Sequence, residues 1–227
     1  MPDVPFEAVI LDCDSTLSSI EGVDELARRR GVGPEIAALT EQAMQGRVPL
    51  EDVYGKRLEL IRPDRDLVRW LGDRYVETLV PGADELVRVL RDRGKDVHVV
   101  SGGILQAVLV LATRLHIPPA NVHAVELRFG DGGRFAGYAR ESPLARAGGK
   151  GTIARGIARG RRFAAVGDGV TDLEMQEAGA TLIGFGGVAV REAVRERADV
   201  WVGESSLATL LPHLLTERER QPPGTPG

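Results

Sequence analysis

Short apolar runs rich in β-branched residues punctuate the chain at Phe6–Leu11, Asp96–Ser101, Arg162–Gly167, Thr181–Phe185 and Asp199–Val202, with helical patterns between them. Strands that alternate with helices predict a parallel sheet covered on both faces, an α/β, Rossmann-like doubly wound fold. From Leu17 to Leu79 no strand pattern occurs. Apolar residues at helical spacing there predict helices over Val23–Arg30, Pro34–Gln45, Pro49–Ile61 and about Asp64–Leu79, with prolines near starts and Gly31 and Gly46 past ends. The first strand is thus followed by a helical insertion. Beyond an amphipathic helix Pro81–Arg93, ended by Gly94, the alternation resumes. A hairpin is expected from Val122–Phe129 and Arg134–Tyr138 around Gly130-Asp131-Gly132-Gly133. The charged, then proline- and glycine-rich tail Thr216–Gly227 predicts disorder.

Composition narrows the function classes. The chain has 227 residues, 43% hydrophobic and 27% charged, enough for one large domain or a domain with an insertion. A net charge of −4 argues against nucleic-acid or anionic-membrane surfaces, which need a basic field. Cys13 is the single cysteine, which excludes an internal disulfide or a multi-cysteine zinc site and fits a reducing cytoplasm. The four histidines show no ligand spacing. Met1–Glu7 lacks the features of a secretory leader, and the apolar stretch Ile104–Leu115 is shorter than the roughly 20 residues of a membrane span. That stretch reads as a helix buried on most sides. A monomer or homodimer in the cytoplasm is expected.

Candidate chemistry lies where strands end. The first run leads into Asp12-Cys13-Asp14-Ser15-Thr16, which puts two acids at a strand's carboxyl end, where open α/β sheets bind ligands. Magnesium takes hard oxygen ligands, and an aspartate beside it can attack phosphorus while a second acid handles protons. Cys13 points to the opposite side and packs in the core. Taken alone, the acids are equally a strand-end turn or cap.

Later strand ends supply complements. Ser101-Gly102-Gly103 offers a hydroxyl and an approachable backbone to an anion, or a simple strand-to-helix cap. Gly148-Gly149-Lys150-Gly151-Thr152 opens a helix with a lysine, which the helix dipole disfavours unless an anion compensates. A nucleotide P-loop fails there, because Gly151 follows the lysine and Leu144 stands where a glycine is required. Gly167-Asp168-Gly169-Val170-Thr171-Asp172 is a third acidic strand end. Asp168 could complete a magnesium shell with Asp12, Asp172 could orient a metal-bound water or Lys150, and a plain turn is the rival reading.

In this order, Asp-x-Asp-Ser-Thr, strand-Ser-Gly-Gly, Gly-Lys and Gly-Asp-Gly-x-Thr-Asp resemble the four motifs of the haloacid dehalogenase-like phosphatase superfamily. Asp12–Leu17 followed by Glu21–Leu26, together with Gly148–Gly151 and Gly184–Gly187, is similar to its phosphoserine phosphatase family, to about Val202. The resemblance implies a core of residues 1–16 and 80–216 and a small helical cap at 17–79, which with the composition of the end leaves a disordered tail at 217–227. It makes Asp12 the nucleophile and Asp14 the general acid/base. Magnesium would be held by Asp12, Asp168 and the Asp14 main-chain carbonyl, with Asp172 in support. Ser101, Gly102 and Lys150 would bind the phosphoryl group. Many relatives carry asparagine at Thr171, which leaves that side chain's substrate contact open.

Selection of the substrate has a clue of its own. Leu50, Val53, Tyr54, Leu58 and Ile61 form an apolar stripe at helical spacing, and Arg57 lies within it. A guanidinium there needs an anion, which a substrate carboxylate or a cap acid would supply. The family assigns Arg57 to the carboxylate, Glu21 to the ammonium and Met44 to apolar closure over the site. Hydrolysis of phosphoserine, the last step of serine synthesis, is the function implied. Phosphotransfer from phosphoserine to homoserine, a phosphatase for another small metabolite and a receiver-like phosphoryl acceptor remain alternatives.

Overall fold

The computed structural model describes residues 2–44 and 50–221, with side chains described throughout except at 40–44, 50 and 51. In chain order the elements are β1 (Ala8–Leu11), α1 (Gly22–Arg30), α2 (Gly33–Met44), α3 (Leu50–Ile61), α4 (Arg65–Glu77), α5 (Ala83–Asp92), β2 (Asp96–Ile104), α6 (Leu105–Arg114), β3 (Val122–Val125), β4 (Leu127–Phe129), β5 (Phe135–Tyr138), α7 (Gly149–Ala158), β6 (Phe163–Gly167), α8 (Leu173–Glu177), β7 (Thr181–Phe185), α9 (Glu192–Arg197), β8 (Val200–Val202), α10 (Leu211–Leu214) and α11 (Glu217–Arg220). Helix starts and ends follow local chemistry. Gly31 closes α1 in the left-handed region, and Asp64 caps α4 by accepting from Leu67 N at 2.8 Å.

Six strands form one parallel sheet in the order β3-β2-β1-β6-β7-β8. The order reverses between β1 and β6, so a crevice opens beyond their carboxyl ends. β1 is buried along its whole length, as a central strand covered on both faces must be. α1 to α4 lie between β1 and α5 in sequence, and α4 packs along α6, whose Ala107, Val108, Leu111 and Ala112 are buried.

Three sequence expectations change. The arm predicted over Val122–Phe129 is divided: β3 pairs in parallel with β2, and only β4 pairs with β5 as a hairpin. The side-chain amide of Gln106 accounts for the break. It donates to Leu127 O at 2.7 Å and accepts from Leu127 N at 3.1 Å, which takes up the backbone groups that would have continued the parallel pairing with β2. β2 runs on to Ile104, so Ser101 sits inside a strand, beside a register shift against β3.

The tail predicted as disordered from residue 217 is ordered as far as residue 221. Thr216 and Glu219 form a capping box around α11. Glu219 then pairs with Lys95, whose buried ammonium also donates to Phe6 O at 2.7 Å. A charged segment is held here because it neutralises a buried cation. Residues 222–227 of the expected tail, and Gly46, lie outside the described residues.

Burial works against ionisation of Glu219, but Lys95 and the Thr216 donors hold its carboxyl below the usual range. Its contribution to stability is therefore present at neutral pH and lost as pH falls through the folded-state pKa. Glu219→Ala is expected to cost about 2–3 kcal/mol at pH 7 by leaving a buried ammonium underpaired. Urea denaturation should show that deficit at pH 7 and a smaller one in acid.

Candidate active site

Asp12 directly follows β1, and its N–H still pairs with Val166 O of β6 at 2.9 Å, so the strand ladder delivers the acid to the crevice. Lys150 enters from the first turn of α7. Its Nζ lies 2.8 Å from Asp12 Oδ1 and 2.7 Å from Asp172 Oδ1, and all three side chains are buried. The lysine predicted to need an anion thus has two. Glu174 settles the helix start further, accepting from the N–H groups of Gly148 (2.8 Å) and Lys150 (3.0 Å).

Asp168, at the end of β6, accepts from Thr16 Oγ1 at 3.0 Å and from Arg191 Nε at 2.9 Å. Carboxylate oxygens of Asp12, Asp168 and Asp172 lie within 4.8 Å of one another. Burial, then the neighbouring Asp172 carboxylate, pushes the Asp12 carboxyl well above its usual range despite Lys150. The same two causes raise Asp168 against the pull of Arg191. For Lys150, burial favours the neutral amine but loses to the two carboxylates, which keep it charged. Three buried acids thus outnumber the two cations among them. A donor set of hard oxygens with a deficit of positive charge fits a divalent metal ion.

Asp14 occupies a different environment. After Cys13 the chain turns sharply: Thr16 N and Ser18 N both donate to Cys13 O (3.3 and 3.0 Å), and Ser15 adopts a φ of 52°. The turn swings Asp14 toward the helices, where Oδ1 accepts from Gly22 N and from Tyr75 Oη, each at 2.7 Å. Position 22 must be glycine, since a Cβ there would stand 2.0 Å from Tyr75 Oη. Burial first, and then Glu21, raises the Asp14 carboxyl to about 6, against the two donors. Cys13 is buried, as expected of a core side chain.

The remaining predicted residues are placed as follows. Ser101 is buried and accepts from Gly103 N at 2.9 Å; Gly102 beside it is half-buried. Glu21 accepts from Ser15 Oγ (2.8 Å) and Arg191 (2.9 Å), which joins it through Arg191 to Asp168. Arg57 pairs with Asp24, the cap-acid alternative, while its Nε is buried without a partner among the described residues. Thr171 is exposed in the turn after β6. Met44 ends α2, and its side chain lies outside the described residues.

Sequence reasoning missed Tyr75, Arg191, Thr16 and Glu174. Tyr75 sits on the apolar stripe of α4 and reads as core; Arg191 is one of many arginines. Only Thr16, inside the first motif, carried a local signal.

The chain is similar to known proteins in both sequence and fold. A family model for haloacid dehalogenase-like hydrolases matches residues 6–179. The chain is 41% identical over 198 residues to the chloroplastic phosphoserine phosphatase of Arabidopsis thaliana, covering 85% of this chain and 67% of that one. A substrate-bound phosphoserine phosphatase complex superposes with a TM-score of 0.77 at 28% identity, covering 94% and 100% of the two chains. A phospho-aspartyl intermediate analogue of phosphoserine phosphatase gives 0.74 at 28%, covering 93% and 100%.

Tyr75 donates to the ionised form of Asp14, so it lowers that pKa. Tyr75→Phe should move the Asp14 carboxyl further above 6 while the ring keeps its packing. Carboxyl-resolved NMR titration of aspartate-labelled, metal-free protein measures the shift.

Proposed function

The chain belongs to the haloacid dehalogenase-like hydrolases, and within them we infer that it is a phosphoserine phosphatase, hydrolysing O-phosphoserine to serine and phosphate through a phosphoaspartate. One observation carries the reading. Asp12 and Asp14, two residues apart, sit in separate environments: one against a lysine and two acids, the other hydrogen-bonded by Gly22 and Tyr75 with a carboxyl near 6.

Asp12 is the nucleophile. Its carboxylate oxygen bonds to phosphorus as the phosphorus–seryl oxygen bond breaks, and protonated Asp14 delivers its proton to the departing oxygen. Asp14, now a carboxylate, takes a proton from water as that water attacks phosphorus and frees Asp12. A carboxyl near 6 suits both turns of this exchange at neutral pH. Lys150 holds the phosphoryl oxygens by charge. The buried Ser101 hydroxyl uses its lone pairs on Gly103 and retains its proton for the same group.

Asp12 and Asp168, with the Asp14 main-chain carbonyl, would hold magnesium, while Asp172 fixes Lys150. The metal supplies charge neutralisation, which lets an anionic nucleophile approach an anionic phosphate. Residues 17–79 form a cap that carries Glu21 for the substrate ammonium and Arg57 for its carboxylate, with Met44 closing over the site and Thr171 at the rim. We place the enzyme in the cytoplasm, at the last step of serine synthesis, as a monomer or homodimer acting without nucleic acid or membrane.

Phosphate release from a panel of phosphorylated amino acids and sugars should favour phosphoserine, require magnesium and vanish in Asp12→Asn. Full activity without metal, or in that variant, rejects the mechanism. Arg57→Ala should reduce kcat/KM for phosphoserine at least tenfold more than for p-nitrophenyl phosphate. Equal losses remove Arg57 from carboxylate recognition.

A further inference from the structure

Two donors on α3 are buried without an acceptor: among the described residues, neither Tyr54 Oη nor Arg57 Nε has a hydrogen-bond partner. Three residues apart, they share one face of the helix. An unpaired buried donor costs about 1–3 kcal/mol, so folded proteins keep few, and those kept call for an explanation. Both groups offer a proton. An acceptor that suits the pair is an anion with two oxygens.

Both donors are also held in place. The Tyr54 ring meets Tyr138 of β5 edge-on, with centroids 5.5 Å apart and planes at 65°. Gly55 makes room for that contact, since a Cβ there would lie 2.6 Å from Tyr138 Oη. Arg57 is anchored at its terminal nitrogen by Asp24, which leaves the buried Nε–H as a spare donor. A fixed phenol and a fixed guanidinium lose little freedom on binding.

Their position favours the amino-acid end of the substrate. Arg57 is tied through Asp24 to α1, whose first residue, Gly22, donates to Asp14 Oδ1 at 2.7 Å, and after burial the Asp14 carboxylate is the next influence that keeps the Tyr54 phenol protonated. Asp14 serves the seryl oxygen. Side chains near Asp14 therefore meet what is bonded to that oxygen.

Building on the phosphoserine reading above, we propose that Tyr54 is a specificity-determining residue, its phenol O–H and the Arg57 Nε–H donating together to the substrate carboxylate. Arg57 supplies charge, and Tyr54 supplies the second direction.

Steady-state kinetics of the full chain with magnesium test this on O-phosphoserine, on O-phosphoethanolamine, which lacks the carboxylate, and on p-nitrophenyl phosphate. Tyr54→Phe keeps the ring and deletes the donor. Its kcat/KM for phosphoserine should fall about tenfold, mainly through KM, and at least fivefold more than for either other substrate. Equal losses on all three, or an undiminished value for phosphoserine, overturn the proposal while leaving the activity standing. A wild-type enzyme that uses phosphoethanolamine as well as phosphoserine overturns carboxylate recognition itself, and Tyr54's role with it.

Discussion

Lys150 bridges Asp12 and Asp172, all three buried, and this three-membered ion contact is the constraint around which the site is built. A buried aspartate without a cation takes up a proton and stops being a nucleophile. A buried lysine without carboxylates loses one. Here the two carboxylates keep Lys150 an ammonium, and Lys150 in turn pulls down an Asp12 carboxyl that burial and Asp172 push up, so the sheet and α7 must meet within hydrogen-bonding distance. The strand order meets that demand. Adjacent β1 and β6 end at the same level, with Leu11 beside Val166, so Asp12 and Asp168 emerge together. Glu174 fixes the turn from which Lys150 reaches in.

That dependence explains which parts of the molecule were legible beforehand. Acids after Leu11 and Val166 stand out because a strand-end acid beyond an apolar run is conspicuous, and Lys150 because a cation at a helix start is electrostatically wrong unless answered. The resemblance to a family joined these signals into one site. Helices announced themselves through spacing and end residues, and most observed boundaries fall within a few residues of the pattern.

The unread features share a physical cause: each depends on a partner distant in sequence. Tyr75 looks like packing until the turn at Ser15 brings Asp14 against its hydroxyl. Arg191 looks like surface until Asp168 and Glu21 flank it. Splitting of the predicted hairpin arm rests on Gln106, a side chain 21 residues from Leu127 that takes both of its backbone groups. The C-terminal helix carried a readable capping box in Thr216 and Glu219, but composition outweighed it. What decided the matter was Lys95, a buried cation 124 residues away.

Asp14 gives the arrangement its mechanical logic. Strand ends supply Asp12 and Asp168 and α7 supplies Lys150, whereas both donors to the Asp14 carboxylate come from the helices after β1: Gly22 from the start of α1 and Tyr75 from α4. Its orientation is thus set by helices, its position by the strand. A displacement of α1 or α4 by even 1 Å would stretch a 2.7 Å hydrogen bond beyond useful length. It would also unbalance the donors that oppose burial in setting this carboxyl near 6. The proposed proton transfer is therefore tied to the packing of α1 and α4, and α1 in turn follows Glu21 and holds Arg57 of α3, the helix that also carries Tyr54, through Asp24. On the mechanism proposed above, seating the substrate's amino-acid end and aligning the acid that releases it are one structural event.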